Sequence, residues 1–145
     1  MNLLFLCIGN PDGGDDAVGS YIAEILKKEK IDVIDAQTYP ENYTGKIKTL
    51  KPENLIIIDA IDMNLEPGEI RIVPKEKIGV MTISTHGLPL SLIIGYLEKD
   101  IKNIKLVGIQ PKKISGEITQ EIKKSAKELL SIIKSNKLNE IKRLD

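Results

Sequence analysis

The chain opens on an unbroken apolar run, Leu3-Leu4-Phe5-Leu6-Cys7-Ile8, the pattern of a strand buried on both faces. A glycine-rich turn, Gly9-Asn10-Pro11-Asp12-Gly13-Gly14, follows. Beyond it Val18, Tyr21, Ile22, Ile25 and Leu26 recur at helical spacing, which predicts an amphipathic helix from about Asp15 to Lys28. Ile31–Asp35 reads as a short second strand, and Lys46–Leu50 as a helical turn. Leu55-Ile56-Ile57-Ile58 is the most β-like stretch and predicts a central strand, delivering Asp59-Ala60-Ile61-Asp62 to the sheet edge. After the Pro67-Gly68 turn, Glu69–Val73 alternates as a half-exposed strand, which suits an antiparallel position at an edge. A longer connection covers Pro74 to Thr85, and Leu88–Leu97 is an apolar helix with Pro89 permitted at its first turn. Lys105–Ile109 is the last strand, closed by Gln110-Pro111. Ile118, Ile122, Ala126, Leu129 and Ile133 mark a final amphipathic helix, and Ser135–Asp145 reads as a polar, frayed tail.

Strand and helix therefore alternate through one domain, residues 1–145. The order predicts a three-layer α/β/α sandwich with a mostly parallel sheet and one antiparallel edge strand. At 145 residues the chain can bury a core without staples. The 21 basic and 21 acidic residues cancel, so nothing electrostatic calls for nucleic acid or an anionic membrane. No apolar run reaches the ~20 residues of a membrane span, and no basic segment precedes the first strand as in a signal peptide. The one cysteine, Cys7, lies inside that strand and reads as a buried structural thiol, consistent with a reducing cytoplasm.

Candidate chemistry gathers beyond the carboxyl ends of the strands, where open α/β sheets bind ligands. The first turn is a poor phosphate cradle: it lacks the G-x-G-x-x-G spacing and the Gly-Lys-Ser/Thr ending, and carries Asp12, Asp15 and Asp16. Carboxylates there suit either the helix dipole or a cation. Asp15 is as much a candidate N-cap as a ligand, while Asp16 is free to point out of the edge. Asp59 and Asp62 end the central strand, and Ser84-Thr85-His86-Gly87 holds the one histidine on a loop leading into a helix. A lone histidine is more often structural or merely exposed. Two carboxylates and an imidazole from three loops form an open site, and the imidazole shifts preference from Mg²⁺ or Ca²⁺ toward Zn²⁺ or Ni²⁺.

Four ordered segments resemble a known family: Gly9-Asn10 with Asp15-Asp16-Ala17-Val18-Gly19, Asp59-Ala60-Ile61-Asp62, Ser84-Thr85-His86-Gly87-Leu88-Pro89-Leu90, and Gly108-Ile109-Gln110-Pro111. They are similar to the hydrogenase maturation endopeptidases, in particular the branch that processes formate-hydrogenlyase-type [NiFe] hydrogenases. The resemblance runs from Leu3 to about Leu130; it departs at Pro11-Asp12-Gly13, where the family has apolar residues. It implies a cytoplasmic endopeptidase that removes the C-terminal extension of a hydrogenase large-subunit precursor after nickel insertion. It also implies that Asp16, Asp62 and His86 are the catalytic and metal-contacting residues, with the nickel carried by the precursor. If nickel serves only recognition, Asp16 or Asp62 is the water-activating base. No nucleophile competes, since Cys7 is mid-strand and Ser84 and Ser91 lack an elbow-type oxyanion turn.

Two other classes fit less well. A receiver-like phosphotransfer domain also pairs acids after the first strand with an aspartate after the third. It calls for a lysine where Gln110-Pro111 stands, however, and here Lys105 starts the last strand. A non-catalytic metal- or protein-binding module with an acidic edge gives His86 no role.

Overall fold

The computed structural model describes residues 1–78 and 89–145. Among the described residues five strands form one sheet in the order β2-β1-β3-β5-β4: β1 is Leu3–Ile8, β2 Val33–Gln37, β3 Asn54–Ala60, β4 Ile70–Val73 and β5 Asn103–Ile109. All neighbours are parallel except β4, which runs antiparallel to β5. This is the expected mostly parallel sheet with one antiparallel strand. The continuous aliphatic runs of β1 and β3 are explained by their neighbours, since each is flanked by strands on both sides and covered on both faces. Among the described residues the helices are α1 (Val18–Lys28), α2 (Thr44–Leu50), α3 (Lys75–Ile78), α4 (Leu90–Leu97) and α5 (Gln120–Lys134).

Strand alternation sorts the core into two layers. Phe5, Cys7, Ile56 and Ile58 face α1 and α5, meeting residues such as Ile22 and Leu129. Leu4, Leu6, Leu55 and Ile57 face α2 and α4, meeting Ile47 and Ile93. Cys7 is fully buried, and burial pushes its thiol far above the usual range, so it is an inert core residue.

Local boundaries differ from the sequence reading in ways that matter for the site. The first helix does not begin at Asp15: a 3-10 turn, Gly14–Ala17, precedes α1. That turn fits because Gly9 and Gly19 lack side chains. A Cβ on Gly9 would stand 2.2 Å from the Asp16 carbonyl oxygen, and one on Gly19 2.1 Å from that of Ile8. Pro89 is the N-cap of α4, one position earlier than expected. The tail, read as frayed, folds back: a 3-10 turn at Leu138–Glu140 leads to Arg143, which bridges Ile72 in parallel. The Ile72 N–H donates to Lys142 O at 2.9 Å, and the Leu144 N–H donates to Ile72 O at 2.9 Å.

Candidate functional site

The strand order reverses direction beside β1: the chain steps from β1 out to β2, then crosses to β3 on the other side. The crevice between the carboxyl ends of β1 and β3 is thus the topological switch point, where such sheets bind ligands. Asp16 follows β1 in the 3-10 turn, and Asp62 lies two residues beyond β3. Asp16 is buried, only 8% exposed, and its Oδ2 accepts the Asn10 N–H at 3.4 Å.

Asp62 is exposed and held from below by one side chain, Gln110, just past β5. The Gln110 Nε2 donates to Asp62 Oδ1 at 3.2 Å, and its Oε1 accepts the N–H of Met63 at 2.6 Å and of Leu65 at 3.2 Å. The Asn64 N–H also donates to Asp62 Oδ1, at 3.1 Å. One buried amide therefore sets both the loop after β3 and the bearing of Asp62, whose hydrogen bonds among the described residues are on Oδ1. The sequence analysis places Gln110 at the end of the last strand and in a family-like segment, and gives it no role in the site. The available signal was an uncharged polar residue directly after an aliphatic strand, at the sheet's ligand-binding edge.

The other two aspartates have different fates. Asp15 does not cap its own helix. Its buried carboxylate reaches across to the loop after β5, where Oδ2 accepts the N–H groups of Lys112 and Lys113, each at 2.9 Å. Oδ1 accepts the Thr119 N–H at 2.7 Å, and the Thr119 hydroxyl donates at 3.0 Å. Burial works to raise its pKa, but these donors outweigh it and hold the carboxyl below the ordinary value. Asp15 is a tether tying the first turn to the α5 entrance. Asp59, the last residue but one of β3, is 0% exposed, and neither carboxyl oxygen has a hydrogen-bond partner among the described residues. Burial first, then the charge of Asp16, push its carboxyl well above the usual range. Asp12 is exposed, its N–H donating to Asn10 Oδ1 at 3.0 Å.

The third expected ligand, His86, lies outside the described residues. Among the described residues no three histidine, cysteine or acidic side chains stand close enough to hold a metal ion. Asp16 and Asp62 both lie beyond strand ends at the crevice, and carboxylates are the hard oxygen donors that divalent cations take.

The fold is an α/β domain that carries two acids beside its switch point, where such sheets bind ligands. The sequence comparisons make this specific. The family model for the hydrogenase maturation protease HycI matches residues 17–136. The hydrogenase 3 maturation protease of Escherichia coli K12 is 42% identical over 115 residues, covering 77% of this chain and 74% of that protein. The solution structure of the endopeptidase HycI from Escherichia coli superposes with a TM-score of 0.91 at 34% identity, covering 100% of this chain and 97% of that one. A crystal structure of the [NiFe] hydrogenase maturation protease HycI from Thermococcus kodakarensis gives 0.82 at 33% identity, covering 94% and 92%. The chain belongs to the HycI family of hydrogenase maturation proteases and is an endopeptidase. Among the described residues no helix is long and apolar enough to cross a membrane.

Proposed function

We propose that this endopeptidase removes the C-terminal extension of a [NiFe] hydrogenase large-subunit precursor in the cytoplasm, and that it recognises the nickel the precursor carries. The observation that supports this reading is that Asp16, in the turn after β1, and Asp62, just beyond β3, follow adjacent strands at the switch point, with Gln110 hydrogen-bonded to Asp62. Two carboxylates form an incomplete sphere, and His86 is the third protein ligand in this proposal. The substrate supplies the remainder, so docking depends on a precursor already loaded with metal.

The chain's own contribution is threefold. Asp16 and Asp62 attract and orient the precursor's cation, bringing the adjoining peptide bond to the crevice. A carboxylate oxygen not engaged by the cation accepts a proton from the attacking water. Gln110 keeps Asp62 from collapsing onto the loop. The test is incubation with a nickel-loaded large-subunit precursor, followed by mass measurement of its C-terminus. Loss of a C-terminal peptide is expected from the wild type. Asp16→Asn, Asp62→Asn and His86→Ala should each cut the rate sharply, because each removes a proposed cation contact, and the two Asp→Asn changes should leave folding intact because they keep the side chain's size. A precursor processed equally well without nickel, or by all three variants, would refute the reading.

A further inference from the structure

The loop between β5 and α5 is joined to both aspartate-bearing loops, yet nothing above gives its exposed face a role. Gln110 leads into it and donates to Asp62. Further along, Asp15, the residue before Asp16, accepts the N–H groups of Lys112, Lys113 and Thr119. In return the Asp15 N–H donates to Lys113 O at 2.8 Å. The contact is close, since a Cβ on Gly14 would stand 2.6 Å from the Ser115 nitrogen and 2.7 Å from Lys113 O. Lys113 and Ser115 are thus both seated on the first turn, and Ile114 stands between them. It is 70% exposed, the highest value of any large apolar residue among the described ones.

A single exposed aliphatic needs no explanation by itself. What sets Ile114 apart is how firmly its loop is held. Residues 112–117 are all exposed, and surface loops of that kind are ordinarily the more mobile parts of a fold. Here a buried carboxylate anchors the segment, so an apolar side chain is kept at one place in water. A contact group fixed in advance loses little freedom when a partner covers it. The partner follows from position: the loop runs from the support of Asp62 to the turn that carries Asp16, so a polypeptide brought to the crevice meets it. Through Ile118 the same loop also walls a cavity of about 450 Å³, shared with Pro11, Ala17 and Tyr21, which leaves room for a chain beside Asp16. We propose that Ile114 is a substrate-recognition residue, packing against an apolar side chain of the large-subunit precursor. The inference rests on the peptidase reading above and adds to it a contact that does not depend on nickel.

The test compares wild type, Ile114→Ser and Ile114→Leu on the nickel-loaded precursor. Both variants should melt within about a degree of wild type, because so exposed a side chain supports little of its own fold. Ile114→Ser should raise KM roughly 10-fold with kcat little changed, the mark of a contact made equally before and during the reaction. Ile114→Leu keeps the apolar volume and should recover most of that loss. A wild-type KM in Ile114→Ser overturns the proposal, and so does an equal loss in both variants. Surface plasmon resonance reads docking apart from cleavage. Ile114→Ser should weaken capture of the precursor by about the same factor with and without nickel, and a loss confined to the nickel-loaded form overturns the independent contact. Light scattering covers the rival occupant: if Ile114→Ser changes the association state of the protein alone and leaves precursor binding intact, a second copy sits on this loop and the proposal fails. If wild-type protein leaves the precursor uncut, the peptidase reading fails, while the binding comparison still decides whether Ile114 docks it.

Discussion

Asp15, Asp16, Asp59 and Asp62 differ less in chemistry than in what faces each of them. Asp15 meets four donors from Lys112, Lys113 and Thr119; Asp59 meets none among the described residues. Replacing Asp15 by alanine leaves three buried or half-buried amides without their acceptor, and hydrogen bonds to a charged group are worth ~1.5–3 kcal/mol each in favourable cases. A total loss of about 2–4 kcal/mol at neutral pH is expected, since water will satisfy part of the loop. The pH dependence has a definite sign. The folded carboxyl titrates below its ordinary value, so its contribution is full above the unfolded value of about 3.9 and is lost as pH falls through the folded one. Urea melts should therefore show the gap between wild type and Asp15→Ala narrowing as the pH is taken below the unfolded value of about 3.9; a constant gap would mean the tether acts through packing alone. None of this division was legible from spacing. Adjacent aspartates in a turn look alike in sequence, and the partners of Asp15 stand about a hundred positions away, at Lys112, Lys113 and Thr119, as Gln110 stands 48 positions from Asp62. The positions of Asp16 and Asp62 at the edge were legible, because a strand's end can be read from where its aliphatic run stops.

Elements were read most faithfully where local pattern and tertiary placement agree. Leu3–Ile8 and Leu55–Ile58 are continuous aliphatic runs because β1 and β3 sit inside the sheet, and the half-exposed pattern of Ile70–Val73 marks β4 correctly as antiparallel. Ile57→Ala removes fully buried volume from the central strand and should cost ~2–5 kcal/mol by chemical denaturation. A loss under 1 kcal/mol would contradict that placement. Boundaries failed where packing overrides pattern, most clearly at the start of α1. The 3-10 turn there depends on the contact between Gly19 and the β1 backbone, which no periodicity reveals. Gly19→Ala gains up to about 1 kcal/mol of helix propensity. The added Cβ, however, would stand 2.1 Å from Ile8 O and 2.8 Å from Ile8 C, backbone atoms of a buried strand that cannot yield. Overpacking of this kind costs typically ~1–3 kcal/mol, so net destabilisation is expected despite the better helix former. Because Asp16 is carried on the same turn, precursor cleavage per folded molecule should fall as well. A more stable, fully active Gly19→Ala protein would show that strand and helix can part without consequence.

At the scale of the whole molecule the C-terminal segment does something its polar composition conceals. β4 is the last strand of the sheet, and its outer edge would present unpaired main-chain groups to solvent, a template for edge-to-edge association. The segment Lys142–Leu144 covers that edge at Ile72 with two main-chain hydrogen bonds. It is pinned from α3 by ion pairing of Arg143 to Glu76 at 2.9 Å and by the Lys77 ammonium bonding to the Asp145 carbonyl. Leu144 packs against the core layer shared with α4. The ion pair is exposed on both sides and contributes little, so the backbone bonds and Leu144 carry the effect. Deleting Lys142–Asp145 should cost about 1–3 kcal/mol, lowering the melting temperature by several degrees. The second consequence is the sharper one: with Ile72 uncovered, the shortened chain should self-associate at concentrations where the full chain does not. Light scattering after size-exclusion chromatography reads this directly. Arg143→Ala, which removes the ion pair and leaves the main chain in place, should behave like the full chain. A deletion protein that stays in the same association state as the full chain would show that the β4 edge is protected by its shortness and not by the tail.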